Sequence, residues 1–184
     1  VEAGGAAILN ADNPQFERLA AKARAHGLRV VSFGEAEGAD ARLKRIALKA
    51  DCSCIAADIL GTEVTYKLGA PGRHLAGNSL AVLTACALVG ADLALAALAL
   101  QDVTPPRGRG ARARLRLRDG EAMLIDESYN ANPASMRAAL ALLAQAEPGS
   151  RGRRIAVLGD MLELGPQSEA LHRALHEAVA AAGV

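Results

Sequence analysis

The hydrophobic and polar positions fall into two stretches with different rhythms. Residues 6–10 (AAILN) form a short apolar run that ends at Asn10 and Asp12. PQFERLAAKARAHG follows with helical spacing, Asp12-Asn13-Pro14 suiting its start and Gly27 its end. RVVSF at 29–33 then predicts a buried strand, and a β-α-β order of this kind predicts a parallel sheet. From Ala41 the period shortens. Segments near 41–48, 52–59 and 62–68, with a turn at Gly61 and the alternation Val64, Tyr66, Leu68, predict antiparallel strands. His74 to Leu100 predicts two helices broken at Gly90-Ala91-Asp92, with Asp92 capping the second.

Residues 101–110 (QDVTPPRGRG) carry no apolar period and hold two prolines and two glycines, the composition of a linker. Beyond it, strands at 111–118 and 121–126 are expected to turn at Asp119-Gly120. A polar loop, ESYNANP, leads to a helix at about 133–146. RRIAVLGD predicts a further buried strand, and 168–182 a last helix. The expected fold is therefore α/β with two units, 1–106 and 107–184, each holding part of a sheet with helices. The chain opens without Met and stops straight after a helical pattern, so both ends are expected to continue into a longer polypeptide.

Composition narrows the classes. At 184 residues, 51% hydrophobic and 22% charged, the chain is neither disordered nor short of core. Aromatic residues at 2% and a net charge of +1 argue against base-stacking platforms and a polyanionic partner. Three cysteines (52, 54 and 86) are too few for a disulfide framework and fit a reduced, cytoplasmic setting. The longest apolar run, Leu93 to Leu100, is far below the ~20 residues of a membrane span. No nucleic acid and no membrane insertion are expected.

The residues that could carry chemistry are few. Arg107, Arg109, Arg112, Arg114, Arg116 and Arg118 crowd into twelve positions, the last four with the period of one strand face. That face could meet phosphates, yet no aromatics interleave with it, and a solvated strand face is the plainer reading. Cys52 and Cys54 lack the further pair a zinc site needs. Glu169, His172 and His176 resemble a metal-binding helix face, but no distant ligand accompanies them. No metal site is expected. Neither GxxxxGK[ST] nor GxGxxG after a strand occurs, and the one Gly-bounded loop after a strand, 159–165, is acidic.

Two segments carry a family resemblance. DESYNANPASM (126–136) and VLGDMLELGPQSEALH (157–172) resemble signature segments of the Mur ligases, in the branch that adds D-alanyl-D-alanine. APGRHLAGNSLAVL (70–83) and AILNADNP (7–14) are similar to two further segments of that branch, and the order is the family's. The resemblance implies the end of a central ATPase domain, a mixed sheet with helices, followed by the start of a Rossmann-like C-terminal domain. It implies ATP and Mg2+, and as partners UDP-N-acetylmuramoyl-tripeptide and D-alanyl-D-alanine, in a cytoplasmic ligase of peptidoglycan synthesis that is monomeric at full length. The family's P-loop and magnesium ligands have no counterpart here, so this chain alone is expected to be inactive.

Carried over position by position, Asn78 resembles the Asn that faces adenine. Arg109 resembles the arginine set on the ATP phosphates, the expected catalytic group. Glu127 stands where a ribose-contacting Asp is commoner, keeping the carboxylate with a longer reach. Tyr129, Asn130 and Asn132 match the loop that closes over the nucleotide, although Asn132 before Pro133 would also cap a helix. His74 matches the family pattern, whereas Leu75 replaces a neighbouring Asn, so no adenine contact is carried to position 75. Two other classes stand beside this reading: a non-catalytic α/β binding module of the same shape, and a phosphate- or nucleic-acid-binding protein using the Arg107–Arg118 face.

Overall fold

The computed structural model describes residues 2 and 4–184. It divides into two compact units, Val1–Val103 and Thr104–Val184, each taken in turn.

The first unit is one five-stranded mixed sheet, β1 (Ala6–Asn10), β2 (Arg29–Gly34), β3 (Ala41–Leu48), β4 (Ser53–Ile59) and β5 (Thr62–Leu68), in that spatial order. β1–β2 and β2–β3 are parallel, and β3–β4 and β4–β5 antiparallel. The three short segments expected after Ala41 are these last three strands. A parallel pair usually needs a long crossover. β2 and β3 avoid one because only Phe33↔Ala41 and Gly34↔Arg42 pair, so β3 starts where β2 ends. The short return loop is fixed by Asp40, whose carboxylate accepts from the Ser32 amide (2.8 Å) and hydroxyl (2.6 Å).

α1 (Phe16–Ala25) connects β1 to β2 and starts two residues after Pro14. The long apolar stretch forms α2 (Arg73–Leu88) and α3 (Leu93–Ala99), and the Asp92 side chain caps α3 by accepting from Leu95 N–H. The core lies between α2 and the antiparallel strands: Leu80, Leu83 and Ala76 on the helix meet Ile55, Ile59, Tyr66 and Leu68. Strict alternation of buried positions along β4 gives the sheet one packed face. Polar groups trapped there are paired, Tyr66 Oη with Ser79 Oγ at 2.7 Å and Ser53 Oγ to the Ala70 carbonyl at 3.1 Å.

The second unit opens with a hairpin, β6 (Ala111–Leu117) and β7 (Gly120–Asp126). The reversal falls on Arg118-Asp119, one residue earlier than expected, with Gly120 at φ 151° starting the return strand. α4 (Pro133–Ala144) follows, and Leu140, Leu142, Leu175 and Ala182 are buried in this unit. Two further expectations are corrected. RRIAVLGD forms no strand: residues 153–160 pair with no other strand, and Ile155, Val157 and Leu158 are exposed. An apolar run favours extension, but a parallel strand also needs partners to take its amides and carbonyls, and no described strand pairs with it. The expected final helix is two, α5 (Ser168–Arg173) and α6 (His176–Ala182), because Leu175 N–H bonds back to His172 O, three residues away, ending the α-helical ladder.

Candidate functional site

In the first unit, polar groups gather at the carboxyl ends of β1 and β2, the usual side for ligands in an open parallel sheet. Asn10 Oδ1 accepts from Asp12 N–H at 2.8 Å, and Asp12 in turn takes the amides of Glu35 (2.8 Å) and Ala36 (2.9 Å). Gly34 is required beneath it, since a Cβ would sit 2.5 Å from an Asp12 oxygen and φ there is 147°. Glu35 pairs with Arg73 in the first turn of α2. Farther along α2, Asn78 is exposed with its side chain open to solvent.

The second unit assembles a denser constellation from the linker turn and the loop after β7. Gly108 N–H donates to Asp126 Oδ2 at 3.2 Å, Gly110 N–H to the Asp126 carbonyl at 2.8 Å, and Tyr129 N–H to the Gly108 carbonyl at 3.1 Å. The approach is so close that a Cβ on Gly108 would lie 2.8 Å from Tyr129 Cβ. Arg109, at the tip of the turn, rests its guanidinium 4.4 Å from the centre of the Tyr129 ring. Both side chains remain exposed, so the cation faces solvent.

Glu127 lies beside this pair, half-buried, with its carboxylate over Gly110. Partial burial and then the neighbouring Asp126 push its pKa up, and Arg109 pulls it back down. Asp126 goes the other way: the Ser128 hydroxyl first, then the Ser128 and Gly108 amides and Arg107, hold its carboxyl below the ordinary 3.8. Two adjacent carboxyls are thus driven apart in acidity, Asp126 toward the stronger acid and Glu127 toward the weaker.

Of the residues expected at the site, Arg109, Glu127 and Tyr129 come together. Asn130 and Asn132 lie on the same loop, but their side-chain oxygens are engaged locally. Asn130 Oδ1 accepts from Ala131 N–H, while Asn132 caps α4 through Ala134 and Ser135 N–H in a reciprocal capping box. Their amide NH2 groups are what remains for a ligand. Asn78 belongs to the other unit. Arg112, Arg114 and Arg116 share a hairpin face with Met123 and Glu121 rather than forming an unbroken basic surface.

Asp126 and Gly108 were not singled out from sequence. An Asp two residues before a Ser is a local turn signal, and it is the one mark that could have drawn attention to Asp126. His172 also has a role the sequence concealed. Its Nε2 accepts from Met161 N–H at 2.9 Å and its Nδ1 donates to the Ser168 carbonyl at 2.8 Å, pinning the 159–165 loop. His176 starts a separate helix, so the two do not share one helix face. Among the described residues no three potential metal ligands gather, and the three cysteines are free.

Residues 1–86 match the family model for the Mur ligase middle domain, and residues 112–184 that for the Mur ligase glutamate ligase domain. The UDP-N-acetylmuramoyl-tripeptide–D-alanyl-D-alanine ligase of Escherichia coli K12 is 38% identical over 133 residues, 67% of this chain and 28% of that protein. A UDP-N-acetylmuramate–L-alanine ligase of Streptomyces avermitilis is 32% identical over 149 residues, 80% of this chain and 31% of that one. A crystal structure of MurF from Acinetobacter baumannii superposes with a TM-score of 0.80 at 27% identity, over 93% of this chain and 35% of the other. MurF ligase from Thermotoga maritima, crystallised with ADP, shares the fold at a TM-score of 0.76 and 22% identity, over 96% and 38%. The chain thus spans about a third of the length of the curated relatives it matches. With a middle-domain segment and a glutamate-ligase-domain segment in that order on two α/β units, this chain belongs to the Mur ligase family.

Proposed function

We propose that the full reading frame containing this chain encodes an ATP-dependent ligase that joins D-alanyl-D-alanine to UDP-N-acetylmuramoyl-tripeptide, in the cytoplasm and as a monomer. The observation that carries the reading is the exposed Arg109 guanidinium held on Tyr129 beside the 126–132 loop. The name of the Escherichia coli relative supports the choice of amine, and the ADP of the Thermotoga maritima protein supports the nucleotide.

In this reaction the peptide carboxylate oxygen attacks the γ-phosphorus of ATP, releasing ADP and leaving an acyl phosphate. The free amine of D-alanyl-D-alanine then attacks the acyl carbon, the C–O bond breaks with its electron pair leaving on phosphate, and the nitrogen gives up one proton as the amide forms. Phosphoryl transfer asks the protein for charge stabilisation and positioning. Arg109 supplies a cation to the phosphate oxygens, worth on the order of a few kcal/mol in the barrier. Glu127 reaches a ribose hydroxyl, Tyr129 and Asn130 lie along the nucleotide, and Asn78 offers an amide that both donates to and accepts from adenine. The Asn132 NH2 is the remaining loop donor. Magnesium is expected with ATP, and its protein ligands are expected outside this chain, since no group of three potential ligands gathers among the described residues.

A second reading, addition of L-alanine to UDP-N-acetylmuramate, is favoured by the Streptomyces avermitilis relative. Phosphate release by the purified full-length protein separates them. Release that requires both UDP-N-acetylmuramoyl-tripeptide and D-alanyl-D-alanine supports the first reading. Release that requires UDP-N-acetylmuramate and L-alanine instead replaces it with the second.

A further inference from the structure

We propose that Asp126 is a positioning residue, clasping the 107–110 turn to the 126–129 loop and thereby setting Arg109 in place before a nucleotide arrives. The inference rests on the phosphate role given to Arg109 above and deepens it.

The two carboxylate oxygens of Asp126 serve different segments. Oδ2 accepts from the Gly108 amide in the turn, whereas Oδ1 accepts from the Ser128 amide (3.1 Å) and hydroxyl (2.6 Å) in the loop. Two backbone bonds run alongside, Gly110 N–H to Asp126 O and Tyr129 N–H to Gly108 O. Arg109 lies between Gly108 and Gly110, so both peptide neighbours of the cation are tied to the segment that carries its aromatic support. An arginine on a Gly-Arg-Gly tip would otherwise be among the least ordered residues of the chain, because glycine leaves the backbone free on both sides. Order fixed in the folded protein is entropy that the transition state need not supply. Ionised Asp126 suits the task, since all its donors here are N–H or O–H groups and its pKa is held low. Asparagine would keep the shape but turn one oxygen into an NH2. Whichever way that amide is flipped, it faces a donor on one side of the clasp.

A double-mutant cycle in the full-length ligase tests the proposal. Asp126→Asn should lower kcat about ten-fold with the KM for D-alanyl-D-alanine unchanged, and should cost nothing further on an Arg109→Ala background. A residue that merely supports the fold would give losses that multiply. Multiplying losses, or a wild-type kcat in Asp126→Asn, would overturn the assignment. If wild-type protein shows no ATP-dependent ligation, the proposed function fails, and the clasp is then read directly by NMR of the full-length protein. There, Asp126→Asn should move the Tyr129 ring resonances toward random-coil values and remove the Arg109–Tyr129 cross-peaks. Unchanged resonances would refute it. Should Asp126→Asn not fold, Ser128→Ala removes only the hydroxyl from the clasp. It should give the same shifts at smaller amplitude and the same absence of effect on Arg109→Ala, and no shift would refute the proposal.

Discussion

Gly108→Ala places a methyl group where the linker turn and the 126–129 loop touch. Two costs follow from the geometry. Gly108 has φ of +74°, and a left-handed backbone costs a residue with a Cβ about 1–2 kcal/mol. The new Cβ would also stand 2.8 Å from Tyr129 Cβ and 2.9 Å from Tyr129 N. One of those atoms is backbone, so the contact is relieved only by moving the loop, which endangers the Tyr129 N–H bond to Gly108 O, worth about 0.5–1.5 kcal/mol. The total is about 1.5–3.5 kcal/mol in the second unit. Gly165 provides the control. Its φ is +61° but nothing lies within 4 Å of its Cβ position, so Gly165→Ala carries only the backbone cost of about 1–2 kcal/mol. Hydrogen exchange of slow amides in α4 under native conditions measures both variants in one unit. A Gly108→Ala loss within about 0.5 kcal/mol of the Gly165→Ala loss would refute the close packing of turn on loop.

Arg109→Ala in the full-length protein should lower kcat at saturating ATP by roughly ten-fold or more, from lost stabilisation of phosphoryl charge. Its melting temperature should hardly move, since an exposed cation–π pair is worth about 0.5–1 kcal/mol; unchanged turnover removes Arg109 from the site. Leu80→Ala, at 0% exposure between α2 and the sheet, should cost about 2–5 kcal/mol in urea denaturation, and a loss under about 1 kcal/mol would contradict the packing. Asp40 and Asp126 have folded pKa values below the ordinary 3.8, so each stabilises the fold above that pH and loses its contribution as pH falls through the lower folded value. Asp40→Asn should therefore reduce stability at pH 7 and flatten its decline below pH about 4; a decline parallel to wild type would refute the Ser32 clasp.

The first unit was nearly legible from sequence because its elements satisfy themselves locally. Period two along 53–59, a turn at Gly61 and the Asp92 cap each depend on neighbours in the chain, and each has its expected form. Residues 153–160 went wrong for the opposite reason. Val157 and Ile155 prescribe an extended backbone, but pairing depends on a distant edge that composition does not reveal. The same division holds at the site. Arg109, Tyr129 and Glu127 were visible through a motif, and the fold brings them together. Asp126 was hidden because one of its two oxygens binds the backbone amide of Gly108, eighteen positions away, a partnership with no periodic signature. His172 looked like half of a metal pair, whereas both its nitrogens bind backbone groups.

The product itself tests the central claim most directly. Full-length protein incubated with ATP, magnesium, UDP-N-acetylmuramoyl-tripeptide and D-alanyl-D-alanine should yield, by mass spectrometry, a species heavier than the tripeptide substrate by one dipeptide less water. Its formation should depend on ATP and match ADP mole for mole. A substrate peak that stays unchanged under those conditions, or a product that forms only from UDP-N-acetylmuramate and L-alanine, would contradict the account.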